Sequence, residues 1–141
     1  MSETSARASR PRKEFRNISI PQILFAYRLP LAGRASILHR VSGALLFLAL
    51  PVILLPLFAM SVASPAGFAA FAQVASFPLV KLILLVLIWA YLHHFCAGIR
   101  YLLLDLHKGV DKESAKRSAG VVFGVSLALT LVFGLKLFGV F

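Results

Sequence analysis

Apolar residues are gathered in three long runs, and nearly all the charged residues lie in the stretches outside them. The runs cover residues 41–63, 79–104 and 119–141. Each is as long as the about 20 residues that a helix needs to cross a hydrocarbon core of ~30 Å. The pattern predicts an all-α membrane protein with one domain of three transmembrane helices, residues 36–141, preceded by a basic N-terminal segment, residues 1–35.

Proline and glycine modify this pattern in two places. Pro51 and Pro56 lie inside the first run, where neighbouring helices in a membrane can satisfy the carbonyl groups that proline leaves unpaired. We therefore expect kinks in a continuous span rather than a loop. Between the first two runs, Ser64-Pro65-Ala66-Gly67 predicts a turn followed by a short interfacial helix.

Composition excludes a soluble enzyme core. The 141 residues are 60% hydrophobic and 14% charged, whereas soluble domains are about 45–50% apolar. The net charge of +10 would suit nucleic acid, but the cations avoid the apolar runs, which indicates a lipid bilayer instead. A single cysteine, Cys96, excludes an internal disulfide and a CxxC motif.

Charge also predicts orientation. Residues 1–40 hold eight Lys and Arg against two acids, residues 100–117 hold five against three, and residues 61–80 hold no charge. By the positive-inside rule, the N-terminus and the second connection are cytoplasmic and the C-terminus is outside. The first 20 or so residues are interpreted as a disordered basic tail rather than a transit peptide, which favours a bacterial inner membrane over the mitochondrial inner membrane.

Polar side chains at membrane depth are costly, about 2.5–3.5 kcal/mol for an ionised group, and so are candidates for function. One cluster opens the first run: Ser36, His39, Arg40 and Gly43 stand at positions i, i+3, i+4 and i+7 and share one helix face. A hydroxyl, an imidazole and a guanidinium would converge there. The alternative is that His39 and Arg40 only anchor the helix at the lipid headgroups.

The second cluster, His93 to Tyr101, lies inside the second run. Adjacent residues point about 100° apart on a helix, so His93 and His94 cannot bind one metal ion together. A single axial ligand to haem iron fits better, because haem takes one imidazole from each side. Gly98, one turn after His94, would let a porphyrin approach and favours His94 over His93. A polar contact between helices is the alternative for both.

These two clusters resemble motifs of the cytochrome b subunit of succinate dehydrogenase, a membrane anchor with three helices. The first motif is Ser36-Ile37-Leu38-His39-Arg40-Val41-Ser42-Gly43, and the second is His94-x-x-x-Gly98-Ile99-Arg100 followed by Asp105. The resemblance covers residues 17–141.

The resemblance implies that the chain binds haem b and ubiquinone. It implies that His94 is the axial haem ligand, with the second ligand from another small anchor subunit. His39, Arg40 and Arg100 would contact the haem propionates, and Ser36 and Arg40 would bind the quinone. A flavoprotein subunit oxidises succinate in this family, and an iron–sulfur subunit passes the electrons on. Many members carry a second histidine after Gly-Ile-Arg, where this chain has Tyr101.

Two other functions stay open at this point. One is a purely structural membrane anchor or assembly partner without a cofactor, in which His94 and Arg40 would only pack. The other is a small pore or transporter subunit lined by His93, Arg100 and Arg40. A reduced-minus-oxidised spectrum separates both from a haem protein.

Overall fold

The computed structural model describes Ser19, Pro21 and residues 29–140, and this part of the chain contains helices and no strand. The helices are α1 (Leu31–Ala49), a π-helical segment (Leu50–Leu54), α2 (Leu55–Ala63), α3 (Pro65–Ser76), α4 (Pro78–Asp105) and α5 (Lys112–Leu137). Most of the basic segment predicted for residues 1–35, including its tail, lies outside the described residues.

Among the described residues, three helical stretches are long and apolar enough to cross a membrane: Leu31–Ala63, Pro78–Asp105 and Lys112–Leu137. The prediction of an all-helical protein with three spans is therefore confirmed. The first and third helices begin earlier than their apolar runs, at Leu31 after Pro30 and at Lys112 after Asp111. An apolar run marks the part of a helix that suits lipid, whereas the helix itself begins where a cap or proline allows it.

The two prolines of the first span do not produce a loop. Pro51 lies in the π-helical segment, and its ring cannot coexist with a regular hydrogen bond to the preceding turn. The wider π turn accommodates it, since Leu55 N–H donates to the Leu50 carbonyl five residues earlier. Pro56 falls in the first turn of α2, where its missing N–H is tolerated. The span is continuous but changes pitch once.

A turn and a short helix follow the first span, as the sequence predicts. The Ser64 side chain accepts a hydrogen bond from Gly67 N–H at 3.0 Å and caps α3, and Pro65 occupies its first position. The helix ends before Pro78, which starts α4.

Small residues form the seams between α1, α4 and α5. In each helix they recur seven residues apart, a spacing that returns to the same face. Close approach of the backbones at such residues is the usual means of helix association in lipid. The buried small residues at this spacing are Ala35, Ser42 and Ala49 in α1, Ala90 and Ala97 in α4, and Ala119 and Ser126 in α5; Gly134 of α5 is also buried, eight residues after Ser126.

Helix α4 runs antiparallel to both α1 and α5, so one end of the bundle collects the starts of α1 and α5 and the end of α4. His39 of α1 contacts His94 of α4, and Arg100 of α4 contacts Ser118 of α5. Both polar clusters of the sequence therefore lie at the same end, beside the connection between α4 and α5.

Candidate functional site

The site centres on two stacked histidines from different helices. The His39 and His94 rings lie 4.1 Å apart at an interplanar angle of 10°. The sequence placed these residues in separate clusters, and the antiparallel packing of α1 and α4 joins them.

Hydrogen bonds define the orientation of the His94 ring. Its Nδ1 lies 3.0 Å from the His39 carbonyl oxygen and 3.3 Å from Ser42 Oγ. The Ser42 hydroxyl itself donates to the same carbonyl at 2.9 Å. Because a carbonyl oxygen only accepts, the proton of a neutral His94 belongs on Nδ1, and Nε2 keeps its lone pair. The ring thus presents one nitrogen that can ligate a metal.

Gly43 makes room for this ring. A Cβ at this position would lie 2.8 Å from His94 Cε1 and 3.2 Å from Nδ1, well inside normal contact distance. The last residue of the first motif is thereby explained by contact across two helices. Neither Ser42 nor Gly43 was assigned a role from the sequence, although their positions three and four residues after His39 were the available signal.

His93 occupies a different environment from its neighbour. Its side chain is completely buried, and its ring lies 5.5 Å from that of Trp89 and 5.3 Å from that of Phe123 in α5. The Ala35 carbonyl approaches the ring, but neither nitrogen makes a well-formed hydrogen bond with the described residues. The two adjacent histidines therefore point in different directions, His94 toward α1 and His93 between α1 and α5, in agreement with the helical projection.

Ser36 and Arg40 lie on the open side of the site. Arg40 is exposed and Ser36 is half-buried, and no side-chain hydrogen bond or ion pair links either to another described residue. One turn of helix separates them, so their polar groups are available together to a molecule that docks from outside the chain.

Arg100 points to α5 rather than to His94. Its Nε donates to Ser118 Oγ at 3.0 Å, and its Nη2 lies 3.5 Å from the Ala115 carbonyl. Tyr101 lies between Arg100 and the histidine pair: its ring is 5.3 Å from the guanidinium carbon and 5.0 Å from the His39 ring. The expectation that Arg100 contacts a propionate stays a prediction.

Tyr101 was left without a role by the sequence. Its hydroxyl is buried and has no hydrogen-bond partner among the described residues. The residue lies two turns after His94 on the same stripe, which was the signal that it belongs to this site.

The three residues expected to line a pore do not share a path. His93 is enclosed between helices, Arg100 faces α5, and Arg40 is exposed on the outside of α1. These three positions give no support to a transport route through the described part of the chain.

Residues 15–133 match the model of the succinate dehydrogenase/fumarate reductase transmembrane subunit. The chain belongs to this family. The succinate dehydrogenase cytochrome b556 subunit of Paracoccus denitrificans is 36% identical over 109 residues, which are 77% of this chain and 83% of the relative. The protein of the same description from Rickettsia felis is 28% identical over 109 residues, 77% of this chain and 84% of the relative.

Membership of this family bears out the resemblance stated from the two motifs. Together with the three spans, the family and the bacterial relatives support a multi-pass membrane subunit of the succinate dehydrogenase cytochrome b type. Such a subunit is part of an enzyme complex.

Proposed function

We propose that the chain is the haem b- and quinone-binding membrane anchor of a succinate dehydrogenase. In this role it passes electrons that originate from succinate, through the iron–sulfur subunit, to ubiquinone. The observation that carries the proposal is the His94 ring, whose Nδ1 is held by the His39 carbonyl at 3.0 Å and whose Nε2 is left free for iron. Dicarboxylate chemistry belongs to the flavoprotein subunit.

The donor set fits a haem shared between two chains. His94 would supply one imidazole to the haem iron, and a second small anchor subunit would supply another ligand. The bound haem contributes a one-electron carrier between the iron–sulfur subunit and the quinone. Hydrogen bonding of Nδ1 fixes the ring plane and raises the basicity of Nε2, as the second shell of a metal ligand commonly does. His39 and Arg40 are proposed to hold the propionates.

The adjacent histidine provides a matched control for the haem assignment. His94→Leu in the intact complex should abolish the b-type bands of the reduced-minus-oxidised spectrum, while the chain still inserts. His93→Leu, one residue away but enclosed by α1 and α5, should keep them. Loss of the bands only in His93→Leu would reassign the ligand. Intact b-type bands in both variants would refute the assignment of a haem ligand to either histidine.

Ser36 and Arg40 are proposed to bind the quinone. A quinone that accepts electrons develops negative charge on its oxygens, and a fixed guanidinium and a hydroxyl at the edge of an apolar region stabilise that charge. A guanidinium supplies charge rather than protons, so the protons taken up by the quinone come from water or from another subunit.

A second arginine on α1 tests this part of the proposal. Arg40→Leu should depress quinone reduction much more than dye-linked succinate oxidation, because a dye can accept electrons before the quinone. Arg34→Leu removes another exposed cation six residues earlier and should leave the ratio of the two activities unchanged. Equal loss of both activities in Arg40→Leu would indicate failed assembly, and an unchanged ratio of the two activities in an assembled complex would contradict the assignment.

The bacterial inner membrane, with a cytoplasmic N-terminus and an external C-terminus, is the proposed location. The charges near the connection between α4 and α5 support it, because Lys108 lies in the connection and three further cations, Lys112, Lys116 and Arg117, lie in the first two turns of α5. A structural anchor without a cofactor is the competing function, and absence of b-type bands from the purified wild-type complex would favour it.

A further inference from the structure

Arg100 carries a positive charge into the bundle without a counter-charge. The residue is 7% exposed, and its two hydrogen bonds go to neutral acceptors, the Ser118 hydroxyl and the Ala115 carbonyl. Among the described residues the one ion pair is that between Arg117 and Glu113. A buried guanidinium in an apolar setting is costly unless an anion or a full set of hydrogen bonds compensates it.

A cavity of about 410 Å³ opens beside this guanidinium, between the second half of α4 and the first half of α5. One end is polar and is formed by Arg100, Lys108, Ser114 and Ser118. The remaining wall is apolar and includes Ile99, Leu103, Val121 and Val122. The cavity therefore combines cations and hydroxyls with a hydrocarbon-like surface.

The backbone fixes Lys108 at the rim of this cavity. His107 adopts a left-handed conformation with φ of 57°, and its N–H donates to the Leu104 carbonyl at 2.9 Å. Lys108 N–H donates to the Leu103 carbonyl at 3.0 Å. These two bonds form a Schellman motif that ends α4, so Lys108 is held next to the cavity rather than left on a loose loop.

Three acids lie close to this cavity in the sequence: Asp105, which is exposed at the end of α4 and makes no ion pair with another described residue, and two acids at the start of α5 that are engaged in local contacts. The Asp111 carboxylate accepts a hydrogen bond from Ser114 N–H at 2.9 Å and caps α5. Glu113 pairs with Arg117 at 3.3 Å. None of the three forms an ion pair with Arg100 or Lys108, so the charge at the cavity is left for an anion from outside the chain.

We propose that this cavity binds the phosphate group of a membrane phospholipid. Arg100 and Lys108 supply charge and N–H donors to the phosphate, the Ser114 and Ser118 hydroxyls line its site, and an acyl chain lies along Ile99, Leu103 and Val121. A phospholipid matches the cavity in polarity. Its phosphate would lie at the charged end of the cavity, near the end of the bundle, and its acyl chain along the apolar wall toward the middle of the bundle. The site lies on the α5 side of α4, separate from the His39–His94 pair.

The test uses the purified complete complex and short-chain phosphatidylglycerol, with bound lipid counted by native mass spectrometry. Lys108→Gln removes an exposed cation from the rim and should weaken lipid binding about fivefold, equivalent to about 1 kcal/mol per cation near a membrane surface. Arg100→Gln should weaken it further. Lys112→Gln removes an exposed cation at the start of α5 that does not line the cavity, and this variant should bind lipid as the wild type does.

Inorganic phosphate added at the same concentration distinguishes a lipid from a free anion. The proposal requires that it leave the bound lipid in place, because it cannot use the apolar wall. Displacement of the lipid by phosphate, or equal lipid binding by Lys108→Gln and Lys112→Gln, would overturn the proposal. So would an Arg100→Gln complex that loses haem but keeps its lipid, since that result assigns the guanidinium to a propionate.

Discussion

Gly43 allows the haem proposal to be tested without touching a proposed ligand. In Gly43→Ala the new methyl group would lie 2.8 Å from His94 Cε1, whereas carbon atoms normally approach to about 3.5–4.0 Å. The imidazole must therefore move by about 0.7 Å or turn. A site of this kind tolerates displacements of only about 0.5 Å.

The cost of that movement follows from the contacts that hold the ring. Turning it away breaks the hydrogen bond between Nδ1 and the His39 carbonyl, worth about 0.5–1.5 kcal/mol, and the stacking on His39, worth about 0.5–1.5 kcal/mol. The sum of about 1–3 kcal/mol corresponds to a loss of haem affinity of about fivefold to about 150-fold. Alanine favours the helix over glycine by about 1 kcal/mol, so the chain itself should still fold.

Haem stoichiometry per purified complex, together with the position of the b-type bands, measures the effect. Gly124→Ala is the matched control, because a Cβ there meets no atom within 4 Å, and it should keep its full haem content. A Gly43→Ala complex with wild-type stoichiometry and unchanged bands would refute the placement of the His94 ring against α1.

Three further outcomes are expected. Gly98→Ala should fold normally, because the nearest atom to the new methyl is 3.9 Å away. It should nevertheless lose haem if the porphyrin lies over this turn, and full haem occupancy in the variant would contradict that position. His107→Gly should stabilise the chain against thermal unfolding by about 1–2 kcal/mol, because the left-handed φ of 57° at His107 costs a residue with a side chain about this much. Glycine already occupies the equivalent position after α5, where Gly139 has φ of 76°. An unchanged unfolding temperature in the variant would argue against strain at His107. Hydrogen bonds from the Ser114 hydroxyl and N–H lower the pKa of Asp111 below its usual 3.8. The cap therefore stabilises α5 above that pH and is lost as pH falls through the lowered value, so amide exchange in the first turn should accelerate there in the wild type and not in Asp111→Asn.

The sequence was sufficient for the span count because a run of some 20 apolar residues has few other uses. It also placed His94 and His93 on different faces, because the 100° step of a helix does not depend on tertiary structure. The bounds of the helices were harder to predict from the sequence. The start of α1 at Leu31 depends on Pro30, and the start of α5 at Lys112 depends on Asp111, rather than on hydropathy.

Contacts between helices were beyond the sequence. Nothing in the local pattern showed that His39 would stack on His94, or that Gly43 would face the same ring, because these contacts depend on how α1 and α4 cross. Arg100 illustrates the same limit. Its position in the second motif suggested a group near the haem, whereas its hydrogen bond to Ser118 depends on the position of α5.

The π-helical segment divides the first span into two parts, α1 and α2, and the residues that this span contributes to the histidine pair's site lie in α1. A π turn adds one residue to the helix, so every side chain beyond it is rotated by about 100° from its α-helical direction. The seam of Ala35, Ser42 and Ala49 would otherwise reach its next step at Pro56, which is exposed. A one-residue deletion within Leu50–Leu54 would bring the later side chains back into phase and turn a different face of α2 toward the bundle. Sequence changes beyond Leu54 can thus adapt this membrane protein to its surroundings without disturbing the histidine pair.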